Sequence, residues 1–138
     1  MIVIDTNILV AFAKEEEDKD LKAVERLFLS MKEGNVKSFM PSIVISEIFA
    51  IFFKSNELRK AIELLIYTKE LNTSIVDLNE ELAKSAGIIK AKYGTSYGDA
   101  IVACTASEKG AVVITYDPQF SSIKDVKSMK PEEFLKRS

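Results

Sequence analysis

Short apolar strands alternating with amphipathic helices predict an α/β domain built on a parallel sheet. Three observations carry that reading. Ile2-Val3-Ile4 is an apolar, β-branched run that starts with almost no lead-in and stops at Asp5. Segments of helical length, with apolar residues three and four apart, separate that run from later ones. Ala111–Thr115 is a second buried strand, again closed by polar residues and an aspartate. The 138 residues, 47% hydrophobic and 29% charged, fit one domain spanning 1–138 with a sizeable core and a solvated surface.

The elements follow in order. After Asp5-Thr6-Asn7, the apolar run Ile8–Ala13 has helical length, and the charged stretch Lys14–Asp20 reads as a solvated connection. Leu21, Val24, Leu27, Phe28 and Met31 repeat with helical spacing until Gly34-Asn35 ends the helix. Val36–Met40 reads as a strand, and Ser42 after Pro41 as the N-cap of the next helix. That helix, Ile43–Phe53, has only Ser46 and Glu47 as polar residues and should therefore be largely buried. Lys54–Leu71 predicts a further helical segment whose apolar face is Leu58, Ala61, Ile62, Leu65 and Ile66.

Ser74–Asp77 reads as a strand, and Asn79 opens a helix running through Leu82, Ala86, Ile89 and Tyr93 to Gly94. Ser96 and Asp99 have the spacing of a capping box before the small, apolar helix Ala100–Ala106. Lys109-Gly110 ends it. Tyr116-Asp117-Pro118 follows the strand Ala111–Thr115, Val126–Ser128 is a short strand, and Pro131 starts a last helix with Phe134 and Leu135 on its apolar side.

Composition narrows the chemistry. Histidine is absent, so Ser-His-Asp and Cys-His mechanisms and the usual zinc hydrolase sites are excluded. The single cysteine, Cys104, lies in an apolar helical segment and reads as core packing. A net charge of −2 provides no broad basic footprint for nucleic acid, although it permits an acidic metal centre with a local basic rim. The apolar runs fall far short of a membrane span and the start does not read as a leader, which predicts a cytosolic protein.

In a parallel sheet with right-handed crossovers, strand carboxyl ends and returning-helix amino ends share one edge. Asp5 and Asp117 end strands, and Glu47 and Asp99 lie near helix starts, so these acids fall on that edge. Each also has a plainer explanation. Asp5 can cap a helix, Glu47 can reach out to a surface lysine, Asp99 can complete a capping box, and Asp117 before Pro118 can simply make a turn. Asp77 shares the edge too, and there capping together with Asn79 is the better account. Clustered buried carboxylates must either take up protons or be held by a cation. Mg²⁺ or Mn²⁺, which prefer oxygen ligands, suit this inventory and could activate water against a phosphodiester.

Ile2-Val3-Ile4-Asp5-Thr6-Asn7 at the start, Ser46-Glu47 in an apolar helix, Gly98-Asp99-Ala100 opening a later one, and Thr115-Tyr116-Asp117 with Phe120 after a strand resemble the PIN-domain family. The resemblance covers essentially the whole chain. It implies a three-layer α/β/α sandwich with a central parallel sheet and metal-dependent endoribonuclease activity on RNA, with Mg²⁺ or Mn²⁺ as cofactor. It further implies that Asp5, Glu47, Asp99 and Asp117 form the catalytic, metal-binding pocket, with Thr6, Asn7 and Thr115 supporting it or orienting water. Tyr116 departs from the pattern, since the family commonly has Asn or Asp there.

A single-domain chain of this size looks most like a VapC-type toxin, which implies a homodimer and a small antitoxin partner. The apolar surplus around Phe49–Phe53 and Leu58–Tyr67 also predicts a two-fold contact within Phe52–Tyr67. Other readings are a PIN-domain RNA-processing nuclease without an antitoxin, an inactive RNA-binding scaffold, and a phospho-receiver-like signalling domain. The receiver would need a lysine at the end of a late strand, where Thr115-Tyr116-Asp117 offers none. The scaffold would keep four acids that, without a cation, only destabilise the fold.

Overall fold

The computed structural model describes residues 1–137. In chain order the elements are β1 (Ile2–Ile4), α1 (Thr6–Lys14), α2 (Leu21–Lys32), β2 (Ser38–Pro41), α3 (Ser42–Lys54) and α4 (Leu58–Lys69). They continue with β3 (Thr73–Val76), α5 (Glu80–Tyr93), α6 (Tyr97–Lys109), β4 (Val112–Ile114), β5 (Ser128–Met129) and α7 (Pro131–Arg137). All strand pairs are parallel, and their order is β3-β2-β1-β4-β5, with Ile2, Val3 and Ile4 opposite Val112, Val113 and Ile114. This is a five-stranded parallel sheet flanked by helices, as the α/β/α reading requires. The chain leaves β1 toward β2 on one side and later returns to β4 on the other. The β1–β4 boundary is therefore the topological switch point, where such sheets open a crevice.

The core explains that arrangement. β1 is wholly buried, and α6 is buried from Ala100 through Ala106, because small side chains let it lie close against β1, β2 and β4. Phe12, Phe28 and Tyr67 join α1, α2 and α4, with the first two rings edge-to-face at 5.0 Å and Phe12 stacked on Tyr67 at 5.2 Å. Cys104 is buried and free, as expected of a packing residue. Among the described residues no helix is long and apolar enough to cross a membrane.

Several local expectations change. Ser42 is not the N-cap of α3: β2 runs straight into the helix, extended Pro41 occupies the cap position, and no side chain caps it. Lys54–Leu71 is not one helical segment either, since Asn56 takes a left-handed φ of 59° and α4 begins only at Leu58. β3 ends at Val76, so Asp77 lies just beyond it, and Asn79 alone caps α5 by accepting from Leu82 N–H. β5 begins at Ser128, two residues later than expected, and a 3₁₀ turn at Pro118–Ser122 had no expected counterpart.

The largest difference concerns α3 and α4. Only Val44, Ile48 and Phe52 of α3 are fully buried, and in α4 the buried stripe is Ala61, Leu64 and Thr68. Leu58, Ile62 and Ile66 point outward with Phe53, which is 69% exposed. Periodicity marks a helix as apolar all round but does not say which sides this chain covers itself.

Candidate active site

The site is built outward from Asp5. Its backbone N–H still donates to Ile114 C=O, which fixes the residue at the β1–β4 boundary, and the residue is only 5% exposed. Oδ1 accepts from Thr6 N–H at 2.8 Å. That is the first helical amide, not the second or third that an ordinary N-cap engages, so capping accounts for little of the placement. Oδ2 accepts from Thr115 Oγ1 at 2.8 Å and from Asn7 Nδ2 at 3.3 Å.

Thr115, at the end of β4, is the hub. Its one proton goes to Asp5, while its two lone pairs accept from Asn7 Nδ2 and Asp117 N–H, each at 3.0 Å. Asn7 Oδ1 in turn accepts from Tyr116 N–H at 3.1 Å. The turn after β4 is thereby locked to the turn after β1, and Asp117 is held beside it. Asp117 Oδ1 also caps the 3₁₀ turn through Gln119 N–H, so its turn-forming role is real as well.

Glu47 reaches the same edge from the second turn of α3. Thr6 Oγ1 donates to its Oε1 at 2.6 Å, so the surface-lysine alternative does not describe it. Its Oε2 lies 2.6 Å from where a Cβ on Gly98 would stand. Asp99 is next to that glycine. Ser96 Oγ accepts from Asp99 N–H at 3.1 Å, the helix-capping half of the expected box.

The electrostatics tie these acids together. Burial raises the Asp5 carboxyl to about 6, against the pull of the Thr115 and Thr6 hydrogen bonds, and Asp99 and Glu47 raise it further. Burial also raises Asp99, with Asp117 and Glu47 adding to it and Ser96 partly offsetting them. Asp5 thus feels Asp99 and Glu47, and Asp99 feels Asp117 and Glu47. No lysine or arginine figures among the influences on Asp5 or Asp99. Asp77 figures in neither, because β3 is the outer strand, two positions from β1 and on the order of 10 Å away.

The donor set is therefore all oxygen, partly desolvated and without a counter-cation, which is the chemistry of a hard divalent ion's site. Among the described residues, no three acids converge closely enough to be a finished ligand group.

The structure brings to one edge the acids read from the sequence and the Thr6, Asn7 and Thr115 that the resemblance implied. Sequence reasoning missed what Gly98 does. The available signal was a glycine inside a helix, which costs about 1 kcal/mol relative to alanine and so calls for a packing or functional reason.

The sequence matches the PIN domain family over residues 2–126. No curated protein matches it significantly. Solved structures share the fold at low identity. A chain of VapBC2 from Rickettsia felis, bound to a promoter DNA fragment, aligns with TM-score 0.75 and 18% identity, covering 94% of this chain and 98% of that one. VapC20 from Mycobacterium tuberculosis, a sarcin–ricin loop cleaving toxin, aligns at 0.73 and 16%, covering 88% and 94%. A toxin–antitoxin complex from Klebsiella pneumoniae contains a chain that aligns at 0.65 and 16%, covering 95% and 98%. With residues 2–126, nearly the full length, matched by one family, the chain belongs to the PIN-domain family.

Proposed function

We propose that this protein is a Mg²⁺- or Mn²⁺-dependent endoribonuclease of the VapC type, the toxin of a pair whose antitoxin holds it inactive. The observation that carries the reading is Asp5, a buried carboxylate that feels two further acids and no basic side chain. Such a group is costly unless a cation completes it. The toxin and antitoxin parts rest on the structural relatives, which include a toxin–antitoxin complex and a sarcin–ricin loop cleaving toxin.

In this mechanism Asp5, Glu47, Asp99 and Asp117 would hold the ion. The ion supplies positive charge at the phosphodiester and makes water a better nucleophile. Thr115 and Thr6 keep Asp5 and Glu47 in fixed rotamers by donating to them, so neither carboxylate has to reorganise when substrate arrives. Asn7 bridges Asp5 to the Tyr116 backbone and so keeps Asp117 in register with β1.

The test is a metal titration. Millimolar Mg²⁺ or Mn²⁺ should raise the melting temperature, by an amount equivalent to roughly 2.7 kcal/mol when free metal is a hundred times Kd. The same ions should switch on cleavage of single-stranded RNA. A melting curve indifferent to both ions, with no RNA cleavage in either, would refute the proposal.

Assembly is a second part of it. Phe53, Leu58, Ile62 and Ile66 leave an apolar strip on α3 and α4 that a monomer has no reason to expose, which supports a homodimer through this region. Ile62→Glu should turn a dimer into a monomer in light scattering at tens of micromolar, and its melting temperature should lose the dependence on protein concentration that a dimer shows. A wild-type monomer at that concentration would count against the contact.

A further inference from the structure

Affinity for RNA usually comes from neutralising phosphates, and this chain is poorly equipped for that, with a net charge of −2 and an acidic reaction edge. Stacking on an aromatic ring is the alternative source of grip, since it needs no charge and accepts any base. One large aromatic ring stands in solvent in the same first helical turn as Asp99. Tyr97, the first residue of α6, is 63% exposed and directly precedes Gly98 and Asp99.

The ring is not merely a loose surface side chain. Lys90 of α5 places its ammonium 4.9 Å from the ring centroid and donates to Thr95 C=O at 3.2 Å. The lysine is thus tethered just ahead of the Ser96 cap, and it covers one part of the tyrosine while most of the ring stays wet. A cation over one face orients an aromatic side chain. A tethered ammonium next to it can also meet a phosphate.

We propose that Tyr97 and Lys90 form a nucleotide subsite in which an unpaired RNA base stacks on the exposed Tyr97 ring and Lys90 faces the adjoining phosphate. The inference rests on the ribonuclease reading above and specifies how substrate is held for it. A protein contact fits the ring less well. Tyr97 is flanked by the exposed polar Ser96 and by Gly98, whereas protein interfaces build on contiguous apolar surface.

The experiment compares wild type, Tyr97→Ala, Tyr97→Phe and Tyr97→Trp on single-stranded RNA, and then on the same RNA carrying one abasic nucleotide at successive positions around the cut. Loss of one stacked base should raise KM roughly 5- to 150-fold in Tyr97→Ala and leave kcat near wild type. Phe and Trp should keep most of the affinity. A single abasic position should erase the difference between wild type and Tyr97→Ala, which a merely structural role for the tyrosine could not produce. Lys90→Gln should weaken the salt dependence of KM. Wild type that cleaves RNA alongside a Tyr97→Ala protein of equal KM would overturn the subsite alone. Wild type that cleaves no RNA would overturn the ribonuclease reading and the subsite with it. A Tyr97→Ala protein that loses its dimer at unchanged KM would assign the ring to a protein contact and overturn the proposal.

Discussion

Asp5→Asn, without metal at pH 7.5, should melt several degrees above wild type and yet cut RNA at least about a hundredfold more slowly. The stability part follows from the Asp5 carboxyl. Its value rises from 3.8 in the unfolded chain to about 6 in the fold, because burial and two neighbouring acids oppose its charge. Between those values the folded protein holds a proton that the unfolded chain has released. Stability therefore falls as pH rises through that window, by about 3 kcal/mol in all, and stays lost above it. Asparagine removes the charge at every pH. It keeps an oxygen for Thr6 N–H but turns an NH₂ toward Thr115 and Asn7, so the net gain should be smaller, about 1–2 kcal/mol.

The advantage should be present at pH 7.5, shrink as pH falls below 6, and vanish near pH 4. Metal should reverse the ranking, since wild type gains what the variant cannot. The activity part is a lower bound: outer-shell partners of a metal ligand already act on the scale of roughly 10–100-fold, and Asp5 is assigned as a ligand itself. Thermal melts across pH, with and without Mn²⁺, and single-stranded RNA cleavage measure both. An active Asp5→Asn protein, or one less stable than wild type across the whole range, would remove Asp5 from the proposed site.

The acids and the fold were legible for different reasons. β1 could be read because Ile2-Val3-Ile4 has no polar interruption and stops at a charged residue, a pattern that depends only on local chemistry. The edge shared by Asp5, Glu47, Asp99 and Asp117 could be read because parallel crossovers admit one handedness. Asp77 could be set aside as a capping residue, but the strand order that holds it apart could not be read, since order is set by packing between elements far apart in sequence. Ser42 failed as a cap for a related reason. The β2 strand holds Pro41 extended up to the first helical residue, so the position of the cap is decided by the sheet and not by residue type. The orientation of α4 failed because Leu58, Ile62 and Ile66 form as good an apolar stripe as Ala61, Leu64 and Thr68, and only the space beneath α4 chooses between them.

Gly98→Ala should push stability and metal affinity in opposite directions. Gly98 lies in the first turn of α6 with an ordinary backbone, so alanine is favoured there by the helix itself, by up to about 1 kcal/mol. The new Cβ would stand 2.6 Å from Glu47 Oε2 and 3.3 Å from its Cδ, a clash with the far end of a flexible side chain and not with backbone. The fold can therefore accept the methyl by letting the carboxylate swing away. That movement breaks the 2.6 Å bond from Thr6 and takes Glu47 out of the acid edge. The metal-free protein should be at least as stable as wild type, because one acid has left a crowded group.

Mn²⁺ affinity should meanwhile drop by roughly 10–100-fold, and RNA cleavage with it. Gly87→Ala in α5 is the control, since a Cβ there meets nothing within 4 Å, and it should gain stability with affinity and cleavage unchanged. In a Glu47→Gln background the Gly98→Ala penalty on Mn²⁺ binding should nearly disappear, the non-additivity expected of residues that act through one contact. Calorimetric Mn²⁺ titrations of the two single variants and the double variant decide it. Wild-type Mn²⁺ affinity in Gly98→Ala would mean that Glu47 binds metal from elsewhere or not at all, and the seat between α3 and α6 would lose its meaning.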